Sequence, residues 1–297
     1  MTWAIGTAVV FYLCILVLLR LFENHLVYFP GQQRSLTAPP ARLGLPIERV
    51  EIPTEDKITL VGWVIPAPSD SNGLWLLICH GNAGNLSEFE RPLHYAGLRQ
   101  LGLSLLAFDY RGYGESDGKP SEHGLYRDAE AAYRFLREVR GVAADRIVIF
   151  GHSLGSAVAI DLAAGHPAAG LIVEGALTSA TDRGGELYPF IPVRWIARSR
   201  FSSLDKVSGI TTPKLFLHAD RDDVIPLDHG RRLFEAAPEP KTFVELQGGH
   251  ADAFDADSTR YFGSIEKFLS TLPRDPHPER SEGPSPRIPE HCDAGGC

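Results

Sequence analysis

The sequence predicts an α/β domain with a mostly parallel central sheet and helices on both faces, and three observations carry that prediction. Short apolar runs alternate with helical periods across residues 47–272. Two β-prone runs flanking Glu55-Asp56 precede the alternation and add an antiparallel hairpin at one edge. The apolar run Ile147-Val148-Ile149-Phe150 passes directly into Gly151-His152-Ser153-Leu154-Gly155 and then a small-residue helix. A run of that kind reads as a strand buried on both faces.

Taken in order, the chain of 297 residues begins with an uncharged apolar stretch, residues 3–19. As a helix, about twenty residues reach across the roughly 30 Å hydrocarbon layer of a bilayer. No small-residue cleavage site follows, so residues 1–25 read as an uncleaved single-pass anchor in preference to a removed signal peptide. Arg20, Arg34 and Arg42 follow the span while only the α-amino group precedes it, which leans the domain toward the cytoplasmic side. Residues 26–46 are punctuated by proline and glycine and read as an extended linker, with Tyr28-Phe29-Pro30 resting on the membrane interface or on the domain.

Residues 47–53 and 58–66 alternate apolar and polar positions and form the hairpin. Residues 74–79 are a strand, 86–101 a helical segment and 103–108 the next strand. Ala129, Ala132, Tyr133, Leu136 and Val139 share one helical face. Strands at 170–173, 214–218 and 242–246 and helices at 227–237 and 261–272 complete the alternation. Residues 178–212 lack a clean period, hold Tyr188-Pro189-Phe190-Ile191-Pro192, and fall between two core strands. They must therefore cross the carboxyl edge of the sheet, where ligands bind in such folds, and they read as a short lid with its aromatic and apolar residues facing the cleft. Residues 273–297 are crowded with Pro, Gly and charge, a composition that predicts disorder.

A net charge of −8 without a basic block argues against nucleic acid as a partner. Of the four cysteines, Cys14 and Cys79 fall in apolar segments and Cys292 and Cys297 in the tail. That spacing offers neither a disulfide framework nor a metal site, and the chemistry read below calls for no cofactor.

That chemistry centres on Ser153, which the strand–turn–helix context makes a candidate nucleophile at a sharp elbow. A serine hydroxyl needs a base within hydrogen-bond reach and a group to orient that base. In this chain order the acid and then the histidine follow, each just after a strand. Asp222 fits the acid position, reading with Ile225 and Pro226, while Asp220 is the runner-up and Asp223 faces solvent or caps the next helix. His250, after Gly248-Gly249, is the candidate base. The backbone N–H groups of Leu154 and Asn82, the latter in the loop His80-Gly81-Asn82-Ala83-Gly84-Asn85, are the candidate oxyanion donors. The other histidines receive structural readings: His152 packs beneath the elbow, His218 braces the acid loop, His80 holds its own loop, and His94, His123, His166 and His229 lie exposed on helices. Asp109 and Arg111 pin a glycine-rich turn, and Glu174 supports the site from a strand end.

The set HGNAGN, DYRGYGES, GHSLGS, D-x-x-I-P and GGH resembles the α/β-hydrolase superfamily over roughly residues 48–272. With an N-terminal span and a small lid, the chain is similar to the membrane-anchored bud-emergence-type hydrolases, a group akin to palmitoyl-protein depalmitoylases. Ala219 departs from the glycine often found before the acid. The resemblance implies the α/β-hydrolase fold, Ser153 as nucleophile, Asp222 as orienting acid, His250 as base, and hydrolysis of ester, thioester or amide bonds. Its expected partners are a small-molecule or lipidated acyl substrate and the membrane. The same scaffold also hosts perhydrolases, carbon–carbon hydrolases and non-catalytic binding modules.

Overall fold

The computed structural model describes residues 2–69, 71–88 and 90–272; the tail expected to be disordered lies outside the described residues. Helix α1, Thr2–Leu21, is continuous with the short α2, Glu23–Val27. Residues 3–21 of α1 have a mean hydropathy of 2.4, and none of that stretch is buried against the protein. An apolar helix left unburied in water is unfavourable, so its composition suits a membrane span.

Strand β1, Glu48–Pro53, and β2, Thr59–Ile65, form the expected antiparallel hairpin, with Ile52 opposite Leu60. Then come β3, Trp75–Cys79; α3, Arg91–Gln100; β4, Ser104–Phe108; and α4, Glu122–Arg134. Helix α3 is shorter than the 86–101 expected from its apolar period. Its first turn is pre-empted because the Asn85 side chain accepts from Ser87 N and Asp109 accepts from Leu86 N, holding these residues in a turn. Helix α4 is capped by the Ser121 hydroxyl, which accepts from Gly124 N.

Strand β5, Ile147–His152, and α5, Leu154–Gly165, flank Ser153. Strand β6, Gly170–Glu174, leads into residues 178–212, which contain α6, Ala180–Leu187; α7, Val193–Ile196; and α8, Ser203–Val207. Tyr188, Phe190 and Trp195, expected to face the cleft, are instead exposed, because the short helices turn them outward. The chain then adds β7, Lys214–Ala219; α9, Leu227–Ala236; β8, Lys241–Leu246; α10, Ala253–Ala256; and α11, Ser258–Thr271.

The eight strands lie in the order β1-β2-β4-β3-β5-β6-β7-β8. All pairs from β4 onward are parallel, and β1–β2 and β2–β4 are antiparallel. Alternate residues of the strands feed two cores. On one face Leu77, Ile149, Leu171 and Phe216 pack with α4 and α5; on the other Leu76, Ile78, Phe150 and Leu217 pack with Tyr95 of α3 and Tyr261 of α11. Burial on both faces is why these strands read as continuous apolar runs and not as alternating ones. The parallel strands all end at one edge, where the loops carrying Ser153, Asp222 and His250 converge.

Residues 26–46, expected to be extended, lie along the domain. Tyr28 is buried, with its hydroxyl 3.0 Å from Ser199 Oγ, and Arg34 donates to the carbonyls of Gly114 and Ser116. Of the two resting places open to Tyr28-Phe29-Pro30, Tyr28 takes the domain.

Candidate active site

Ser153 sits between β5 and α5 with φ 53° and ψ −123°, a conformation that side-chain-bearing residues rarely adopt. The elbow is held there by Ser153 N donating to Glu174 O and by the Ser156 amide and hydroxyl donating back to Ser153 O. Gly155 is required by contact: a Cβ there would stand 2.0 Å from the Cys79 carbonyl oxygen. The sharp turn can therefore press α5 against β3 only where the side chain is absent.

His250 reaches the serine from the loop after β8, its Nε2 2.7 Å from Ser153 Oγ. Its Nδ1 lies 2.7 Å from Asp222 Oδ2. The second oxygen of Asp222 accepts from Val224 N and Ile225 N, so the carboxylate is fixed at both ends. Burial works against its charge, but the hydrogen bond and charge of His250 and the Ile225 N–H hold its pKa below the usual carboxylate range. Asp220, the runner-up, instead accepts from Gly248 N and shapes the glycine turn before His250. Asp223 is exposed.

Two histidines frame this trio. His152 Nε2 lies 3.0 Å from the His250 carbonyl oxygen, a contact the sequence did not signal beyond placing His152 in the elbow. Burial and the nearby His250 push its pKa down to about 3, so at neutral pH it is an uncharged spacer. His218 Nε2 lies 2.9 Å from the Ile225 carbonyl and 3.5 Å from Asp222 Oδ2, bracing the acid loop as expected.

The loop after β3 stands beside the serine. A Cβ at Gly81 would lie 2.8 Å from His152 Nδ1 and 3.5 Å from Ser153 Cβ, so the backbone passes that close only as glycine. Asn82, whose N–H is the candidate donor, is held through its side chain. Its Nδ2 donates to Val27 O at 2.6 Å, and its Oδ1 accepts from Tyr113 OH at 2.7 Å and from Phe29 N at 3.3 Å. Phe29 and Ala83 form an isolated parallel bridge, and Gly84 N donates to Phe29 O. Arg91 donates to the carbonyls of Gly81, Ala83 and Asn85. Leu154, whose N–H is the other candidate donor, opens α5 at the positive end of its dipole.

Glu174 is fully buried at the end of β6 and accepts from Tyr261 OH at 2.8 Å. Burial raises its pKa to about 7 against the lowering effect of that hydrogen bond. His94 and His229, expected to be exposed, are buried. His94 Nε2 lies 2.9 Å from Tyr261 OH, and His229 contacts the Thr178 hydroxyl and Glu186. Each belongs to a helix face turned toward the domain, and a single polar residue in an apolar stripe does not reveal that. Arg111 and Asp109, expected to pin their own glycine-rich turn, instead reach outside it: Arg111 clamps Asp128 of α4 and Asp56 of the β1–β2 turn, and Asp109 accepts from Leu86 N in the loop after β3. Among the described residues, no group of three or more His, Cys, Asp or Glu is placed to hold a metal ion.

Residues 76–280 match the model of a family described as "Alpha/beta hydrolase family". An uncharacterised protein of Mycobacterium tuberculosis is 38% identical over 250 residues, covering 84% of this chain and 87% of that protein. The alpha/beta hydrolase domain-containing protein WAV2 of Arabidopsis thaliana is 32% identical over 274 residues, covering 85% and 89%. Human alpha/beta hydrolase domain-containing protein 17B is 37% identical over 183 residues, 60% of each chain. Among solved structures, an esterase of Pyrococcus furiosus superposes with a TM-score of 0.68 at 20% identity, covering 83% of this chain and 98% of its own.

Proposed function

The chain belongs to the alpha/beta hydrolase family, and from that premise we propose that it is a membrane-anchored serine hydrolase that cleaves carboxylic ester or thioester bonds through an acyl-enzyme. The observation that supports this reading is the unbroken line from Asp222 through His250 to the Ser153 oxygen, with both links at 2.7 Å. In the proposed reaction Ser153 Oγ attacks the acyl carbon while His250 Nε2 takes its proton, and Asp222 favours the imidazolium that forms. The Leu154 and Asn82 N–H groups hold the charge that develops on the carbonyl oxygen. His250 then passes its proton to the departing alcohol or thiol. Water, deprotonated by the same imidazole, releases the acid and restores the serine.

In this reading residues 1–25 anchor the protein, residues 26–46 lead to the hydrolase domain of residues 47–272, and residues 178–212 act as its lid. The arginines that follow the span favour a cytoplasmic domain. A fluorophosphonate probe tests the nucleophile: labelling of the full chain should vanish in Ser153→Ala, and persistent labelling would assign the nucleophile elsewhere. A chain-length series of p-nitrophenyl esters and acyl thioesters then ranks the substrates.

A further inference from the structure

The lid carries a row of exposed apolar side chains that the proposed reaction does not use. Leu187 and Tyr188 are more than half exposed, and Phe190 and Trp195 each stand 87% exposed. Large aromatics left that open usually mark a contact surface. The backbone of the same segment is tied to α1 at two carbonyls. The Tyr12 hydroxyl donates to the Phe190 carbonyl at 2.7 Å, and Arg20 donates to the Ile196 carbonyl. Tyr12 and Arg20 are a little over two helical turns apart, about 12 Å along the axis. The lid therefore follows the apolar helix from the level of Arg20 well toward its middle. A segment strapped over that length to a bilayer-spanning helix enters the bilayer with it.

The backbone of the tip suits that environment. Pro189 and Pro192 have no N–H to satisfy. The amides of Tyr188, Ile191 and Val193 donate within the lid, to Gly184, Tyr188 and Ile191 respectively. The Phe190 carbonyl is served by Tyr12. Irregular backbone is tolerated at membrane depth only where its polar groups find such partners. Charge is graded in the same direction along the chain: Arg194, Arg198 and Arg200 are exposed and bracket Ile196, whose carbonyl meets Arg20, and Arg194 also pairs with Asp182. Guanidinium groups beside tryptophan at that level match the headgroup zone.

We propose that residues 187–196 form a second membrane-inserting element, with Leu187, Tyr188 and Phe190 in the acyl-chain region of a phospholipid bilayer beside α1, Trp195 at the boundary between acyl chains and headgroups, and Arg194 and Arg198 among the headgroups. This rests on the reading of α1 as a span and deepens it. Residues 178–212 follow β6 just past Gly175, where a Cβ would come within 3.2 Å of the His250 imidazole, and the segment leaving the bilayer ends at Phe29 against the loop beside Ser153. The mouth of the site then faces the bilayer surface, and the acyl chain of a substrate held in that bilayer arrives laterally from the lipid.

The test uses the full chain reconstituted in phosphatidylcholine vesicles whose acyl chains are plain or brominated. Tryptophan emission is compared between Trp3→Phe and Trp3→Phe/Trp195→Phe, so that the difference reports Trp195 alone. Bromolipid should quench that difference, and adding Phe190→Ser should relieve the quenching. An unquenched difference would overturn the proposal. Retention through an alkaline wash reads the α1 span separately: protein that stays bound while Trp195 is unquenched sinks the lid alone, and protein that washes off sinks both. Fluorophosphonate labelling of each variant reports the folded site and the hydrolase reading independently of either.

Discussion

Two carboxylates stand near His250, and their surroundings drive them in opposite directions. Asp222, on the loop after β7, accepts from two backbone amides and the imidazole, so its charge is held despite burial. Glu174, at the end of β6, has one neutral phenol as its hydrogen-bond partner, and burial lifts its pKa to about 7. It is close enough to share the field of His250 and Asp222: at the next residue, Gly175, a Cβ would come within 3.2 Å of the imidazole. The difference teaches that nearness to a histidine does not make an acid its partner. Donors converging on the charged form decide which carboxylate stays ionised.

The largest effect that can break this comparison is at Ser153, the proposed nucleophile. Ser153→Ala should lower kcat by about 10⁶, and any substantial residual turnover would make the contrast between the two acids irrelevant to catalysis. Next, Asp222→Asn should cost about 10⁴ in kcat, since an amide presents the wrong group to the imidazole. Glu174→Gln should cost roughly tenfold or less. Steady-state rates on one p-nitrophenyl ester would reverse the assignment if the two losses changed places.

A smaller effect sharpens the picture at the oxyanion loop. Asn82→Ala keeps the backbone donor but releases its ties to Val27, Phe29 and Tyr113. We expect kcat to fall by about tenfold to a hundredfold with little change in KM, because a misplaced donor affects the transition state more than binding.

The smallest effect concerns stability. Glu174 has an ordinary value of 4.5 and a folded value of about 7. The folded protein keeps a proton that the unfolded chain gives up across that window, so stability falls as pH rises through it. Glu174→Gln should remove this dependence, gaining up to about 3 kcal/mol at pH 8 and little at pH 4. Unfolding midpoints of the full chain in detergent at the two pH values measure it, and equal shifts at both would show that Glu174 does not titrate.

Much of this architecture was legible because it is written in local patterns. Strands buried on both faces leave uninterrupted apolar runs, and Gly-x-Ser-x-Gly has meaning through the strand and helix around it. Asp222 could be placed because it follows such a strand, and His250 because a glycine pair follows the half-buried edge strand β8. What the sequence concealed depends on contacts between distant segments. His94 and His229 look like surface residues until α3 and α9 are turned onto the domain. Glu23 looks like an ordinary charge at a helix start, yet its carboxylate accepts from the amides of Arg198 and Ser199 in the segment after β6, and it is buried there. Nothing in residues 26–46 as a string announces that Val27 and Phe29 hold the side chain of Asn82.

That last contact changes what it would mean to release the domain. A protease cutting just past Pro30 would do more than cut a leash: the liberated body would leave behind the carbonyls of Val27 and Phe29. The fragment would keep Ser153, Asp222 and His250 in register while its anion-binding floor lost a wall. If α1 anchors the protein, shedding would also slow the enzyme, on the scale expected for Asn82→Ala, and a water-soluble version meant to keep its full rate must start upstream of Glu23.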